Sequence, residues 1–155
     1  MSENTIIKKR EALDIKDTWA TEDMFASDEA WEQALTDLQN DKEKLVGFCG
    51  KLGCNAETLF DYLQLMEQSN ERASLLANYC MRKGDEDTRN AIYQSMTGKF
   101  MSVIVDMGAA TSFETPEILS VSDKLLDSFY QQMRALKPQG SGSVCRLKNL
   151  YQATN

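Results

Sequence analysis

Histidine does not occur in this 155-residue chain, and that removes most of the hydrolytic chemistry a domain of this size can carry. Ser-His-Asp and Cys-His relays, histidine-bearing zinc sites and a histidine general base are all excluded. Lysine, glutamate and tyrosine remain as acids or bases, but none sits in a nucleophile motif. The cysteines are Cys49, Cys54, Cys80 and Cys145. Cys49 and Cys54 are separated by four residues, wider than the tight pair of a structural zinc site, and they read as free thiols of a reducing compartment. The carboxylates cluster three times. Glu22-Asp23 and Asp28-Glu29 flank a helix start, where negative charge complements the helix dipole, so they read as structural rather than as an acid–base pair. Asp85-Glu86-Asp87 lacks the spacing of a calcium loop: Arg89 stands where a third oxygen ligand is needed, and the turn glycine is missing. Gly140-Ser141-Gly142-Ser143 is followed by no Gly-Lys-Ser/Thr and preceded by no strand, so it reads as a flexible linker, not a phosphate cradle. No catalytic, cofactor-binding or metal-ligating residue is assigned on this chain.

The elements that would carry these residues are helices. Only eight Gly and two Pro interrupt a chain that is 42% hydrophobic and 26% charged, a composition for long elements around one core. Residues 1–26 have no sustained period and form an irregular lead that pins Ile15, Trp19, Met24 and Phe25 onto the body. Ser27 is a helix N-cap, followed by a stripe of Trp31, Leu35, Leu38, Leu45, Val46 and Cys49 with a gap at Lys42; Gly50 and Gly53 end that helix. Asn55 caps a second helix with Leu59, Leu63, Met66, Ala73, Leu76, Ala77 and Cys80 on its inner face. Asn70 falls on the same face, Arg82 and Lys83 suit the last turn, and Gly84 is the stop. Asp85 or Asp87 caps a third helix, in which Ile92, Met96, Phe100, Val103, Met107 and Ala110 form one face and Tyr93, Met101, Ile104 and Val105 widen it to most of the circumference. A helix apolar nearly all round is expected to be central and buried. Val103-Ile104-Val105 also suits a strand, but the period around it is helical. Thr115-Pro116 starts a short helix with proline at its first position. Ser122-Asp123 starts another, bearing Leu125, Leu126, Phe129, Tyr130, Met133 and Leu136, which Pro138 stops.

These readings give an all-α antiparallel bundle of about four main helices. The lead covers residues 1–26, the bundle residues 27–137, and a divergent tail with a disordered composition residues 138–155. The net charge of −7 disfavours nucleic acid, and the basic run Lys8-Lys9-Arg10 is followed at once by Glu11. No apolar stretch approaches a membrane span or the core of a signal peptide, so no membrane partner is expected and the expected location is cytoplasmic.

Three blocks of residues resemble a known family. Trp19, Thr21-Glu22-Asp23-Met24-Phe25 and Ser27-Asp28-Glu29-Ala30-Trp31 are similar to the N-terminal signature of oligoendopeptidase F and its relatives, which are zinc metallopeptidases. Gly84-Asp85-Glu86-Asp87-Thr88, with Tyr93-Gln94 after it, resembles a helix junction of that family. Phe113-Glu114-Thr115-Pro116-Glu117-Ile118-Leu119 resembles one of its turns. The blocks occur in the family's order over about residues 10–137, and the likeness stops near Lys137-Pro138. The resemblance implies a much longer enzyme, whose C-terminal lobe holds one zinc ion on an H-E-x-x-H helix and a further glutamate. No position here matches those ligands. It implies that the present residues form the helical N-terminal lobe, truncated before the catalytic lobe and walling a channel for short peptides. The resemblance further implies that such a lobe has no activity or cofactor of its own and that its partner is a complementary catalytic lobe or a second copy. The alternative is a stand-alone helical interaction module, homodimeric through its surplus apolar surface.

Overall fold

The computed structural model describes residue 14 and residues 18–136. Among these there is no strand. The elements are a 3-10 turn at Thr21–Asp23 and the helices α1 (Asp28–Val46), α2 (Ala56–Glu86), α3 (Ala91–Ala110), α4 (Glu114–Ser120) and α5 (Asp123–Leu136). Pro138, the Gly140–Ser143 run, Cys145, the tail and the Lys8-Lys9-Arg10 run lie outside the described residues.

Ser27 has extended backbone and its hydroxyl accepts the Ala30 N–H, which starts α1 with Asp28 and Glu29 in the first turn. Trp31, Leu35, Leu38 and Leu45 form its buried edge. The gap in the apolar pattern is filled by Asp41, which is itself buried. Its carboxylate accepts from Arg72 of α2 and, at 2.9 Å, from Lys44. The helix ends earlier than the glycines suggest, at Val46 with Gly47 as its cap, and Val46 and Cys49 are exposed. Gly50 and Gly53 serve the following connection instead. Gly50 has φ +77°, the left-handed conformation that glycine adopts without strain. A Cβ at Gly53 would lie 2.9 Å from the Val121 side chain, so glycine is needed there for a close approach.

Asn55 caps α2 by accepting the Thr58 N–H at 2.8 Å. This helix runs about 46 Å at 1.5 Å per residue, and it is the spine of the molecule: α1, α3 and α5 all pack on it. Asn70 is exposed, contrary to its expected place, and Ser69 occupies the inner face. The Ser69 hydroxyl donates to the Leu65 carbonyl at 2.8 Å, so the buried polar group is satisfied within the helix. Gly84 does not stop α2, which continues through it to Glu86. Glycine inside a helix is only a weak breaker. The cap of α3 is Asn90, which accepts the Ile92 N–H at 2.9 Å, rather than either aspartate. Asp87 instead accepts the Arg89 N–H in the intervening turn. α4 starts at Glu114, so Pro116 is its third residue, still within the first turn where no N–H is needed.

Three contacts fix the direction of the first hairpin. The Trp31 indole N–H donates to the Leu76 carbonyl at 2.9 Å, the Tyr79 hydroxyl to Asp28 at 2.8 Å, and Arg72 to Asp41. The start of α1 therefore meets the far part of α2, and the two run antiparallel. Lys99 pairs with Glu32 and Lys42 with Asp106, so α3 runs parallel to α1. α5 buries Leu126, Phe129 and Met133 and packs on α2. The antiparallel all-helical bundle expected from the sequence is thus what forms. In the lead, Met24 and Phe25 pack on the core, and Phe25 meets Tyr79 edge-on at 5.5 Å. Trp19 stays exposed with the Arg82 guanidinium 4.7 Å above its ring.

Candidate functional site: the outer face of α3

The third helix departs most from expectation. Met96, Phe100, Val103 and Met107 form a buried edge against α1 and α2. Tyr93 and Ile104 pack partly against the core, and the remaining large apolar side chains stay out of it. Ile92 is 61%, Met101 47% and Val105 67% exposed. α3 is a flanking helix, not the central one, because α2 already holds the position from which three neighbours can be touched.

Successive residues turn by about 100° around a helix axis. Within roughly 70° of the direction opposite the buried edge lie Ala91, Gln94, Ser95, Gly98, Met101, Ser102, Val105, Gly108 and Ala109. None is charged, in a chain with 26% charged residues. All are exposed. On one flank this face is bounded by the Lys99–Glu32 and Lys42–Asp106 ion pairs with α1. On the other it meets the half-buried Tyr93 and Ile104. Gly98 and Gly108 sit at or beside this face with ordinary negative φ, and a Cβ on either would meet nothing within 4 Å. Neither helix geometry nor the packing of the described residues calls for glycine there, although each costs about 1 kcal/mol of helix stability relative to alanine.

At its N-terminal end the face opens into a groove of about 350 Å³ between α1 and α3, lined by Asp28, Glu32, Ala91, Ile92, Ser95, Met96 and Lys99. Its two carboxylates are engaged, Asp28 by the Tyr79 hydroxyl and Glu32 by Lys99. Burial, reinforced by the bond to Asp28, holds the Tyr79 phenol well above its ordinary range, so it is a fixed donor and not a base. The groove can seat an apolar side chain, but it offers no nucleophile with an adjacent base.

The other groups weighed from the sequence are dispersed. Glu22 and Asp23 are exposed in the 3-10 turn. The Ser27 hydroxyl lowers the Glu29 carboxyl below its usual range, as expected at a helix start. Asp85 pairs with Arg82 and Asp87 with Arg89. Cys49 and Cys54 are exposed free thiols in the α1–α2 connection; Cys80 is buried, and burial raises its thiol and makes it inert. Among the described residues no group of three or more His, Cys, Asp or Glu is placed to hold a metal ion. These residues do not fit the zinc that the family resemblance implies. No described helix is long and apolar enough to cross a membrane.

Two carboxylates with structural roles gave little sign in the sequence. Glu117 of α4 reaches back to the α1–α2 connection and accepts the N–H groups of Gly50 and, at 3.2 Å, Leu52. Glu114 is buried and accepts the Tyr62 hydroxyl at 3.1 Å. Both belong to the block Phe113–Leu119, and no local pattern reveals a partner some fifty to seventy residues away.

Comparison with known proteins supplies the context for the open face. Oligopeptidase PepF of Bacillus subtilis (strain 168) is 32% identical over 128 residues, which make up 83% of this chain and 19% of that protein. Group B oligopeptidase PepB of Streptococcus agalactiae is 28% identical over 83% of this chain and 21% of its own length. The plasmid-borne oligoendopeptidase F of Lactococcus lactis subsp. cremoris is 28% identical over 84% of this chain and 22% of its own length. The chain sorts with the oligoendopeptidase F family. It spans about a fifth of the length of the curated relatives it matches. No family model matches the chain, and no solved structure does. The oligoendopeptidase F likeness read from the three sequence blocks is therefore supported by alignments over most of the chain.

Proposed function

We propose that this chain serves as the non-catalytic N-terminal helical lobe of an oligoendopeptidase F-like zinc metallopeptidase. In that role it walls the channel through which short peptides reach a catalytic centre built from other residues, and it works in the cytoplasm. The observation that carries this reading is the uncharged outer face of α3 on a chain that corresponds to a fifth of its relatives. An uncharged, largely unfilled helix face on an otherwise highly charged surface is what remains when a packing partner is taken away.

The test is a quenched short peptide offered to the purified chain with zinc present. No cleavage is expected. Adding the part of the Bacillus subtilis relative outside the match should produce cleavage that a chelator abolishes. Metal-dependent cutting by the chain alone overturns the reading.

A second reading, a stand-alone module that dimerises, is favoured by the same face, because a surface without charge does not repel its own copy. Light scattering on the eluting protein separates the two: a tight homodimer supports the module, and a monomer supports the lobe.

A further inference from the structure

We propose that the outer face of α3 receives a helix from the remainder of the oligopeptidase-like assembly, packed at short range over Gly98. This rests on the lobe reading above and specifies where and how the partner docks. The face runs about 27 Å from Ala91 to Ala109, and its middle is floored by Ser95, Gly98 and Ser102, with Met101 and Val105 as the two raised side chains. Missing side chains let another backbone come close, and helix spacing follows the size of the side chains at the contact. Gly98 fills no need among the described residues: its φ is not positive, and a Cβ there would meet nothing. About four fifths of the Bacillus subtilis protein lies outside the match, and that part is the source of the partner helix in this proposal.

The occupant is a helix and not an extended peptide. The backbone N–H and C=O groups of α3 are already spent within the helix, so its face offers a strand no main-chain partners. A second helix brings its own backbone satisfied and needs only an apolar ridge. That ridge would lie between Met101 and Val105, and an apolar residue at its end would enter the groove beside Ile92.

The experiment co-expresses this chain, affinity-tagged, with the untagged segment of the Bacillus subtilis relative outside the match, and measures recovery and dissociation of the complex. Gly98→Leu and Val105→Lys should each weaken association at least roughly tenfold, while Leu75→Lys, on the exposed surface of α2, should leave it within about twofold. Gly98→Ala guards against misfolding as the explanation: it should raise the melting temperature of the free chain yet weaken the complex, two opposite signs that a purely internal role for Gly98 does not give. If the complex forms and these α3 variants bind like the wild type, the docking inference falls while the lobe reading stands. If the wild-type chain fails to bind the segment, the lobe reading falls and the docking inference with it. A tight homodimer that Gly98→Leu dissociates overturns the proposal in favour of a second copy on this face.

Discussion

The helices α2 and α3 are both rich in apolar residues and meet opposite fates. α2 is touched by three other helices, and the sides facing them carry Leu59, Tyr62, Leu63, Met66, Leu76, Tyr79 and Cys80. Its outward positions are marked by charge and amide groups such as Asp61, Gln68, Asn70, Glu71 and Asn78. α3 has one buried edge, and its opposite face carries no charged side chain and, among the described residues, no packed neighbour. The contrast teaches that apolar content around a helix does not by itself give the number of helices packed on it.

The comparison breaks first at Trp31, which is fully buried and hydrogen-bonded to α2. Trp31→Ala should cost about 3–5 kcal/mol in chemical denaturation, and a loss below about 1 kcal/mol would mean that the α1–α2 contact is not the core it is taken to be. Asp41→Ala comes next. It leaves the partly exposed Arg72 without its partner, and about 2 kcal/mol should be lost; Asp41→Asn with unchanged stability would show that the ionic character is dispensable. Glu117→Ala removes the acceptor for two N–H groups of the α1–α2 connection and should cost about 1–2 kcal/mol, read as a lower denaturation midpoint with unchanged slope. On the outer face of α3 the sign turns. Gly98→Ala should stabilise the free chain by about 0.5–1 kcal/mol, and Val105→Lys should change it by less than about 0.5 kcal/mol. Destabilisation by Gly98→Ala in a monomer would show that this face is already occupied within the chain.

How far the sequence led can be seen from the caps. Ser27 and Asn55 were readable because an N-cap is local: a short polar side chain followed by helix formers states its own role. The ends of helices were harder. Gly50, Gly53 and Gly84 look alike in sequence, yet one supplies a left-handed turn, one admits Val121, and one is simply carried through α2. Asn70 faces out and its neighbour Ser69 faces in because a one-residue step rotates a helix by about 100°, and only the packed neighbours decide which residue faces in. The expected burial of α3 fails because the width of an apolar pattern does not say how much of it the neighbouring helices cover. The absence of charge from Ala91, Ser95, Gly98, Ser102, Val105 and Ala109 could have been noticed from spacing alone. The reach of Glu117 across 65 or more residues could not.

That reach has a kinetic meaning. Asp41–Arg72 and Trp31–Leu76 close over 31 and 45 residues, whereas Glu117 finds Leu52 and Gly50 over 65 and 67. Longer loops carry a larger entropic toll, and non-local contacts form later. In N-to-C-terminal synthesis the residues of the α1–α2 hairpin are translated before the carboxylate that accepts the N–H groups of its connecting bend. Gly50 and Leu52 should be among the last amides to gain protection in pulsed hydrogen exchange during refolding, which makes this bend the seal of the fold rather than its seed.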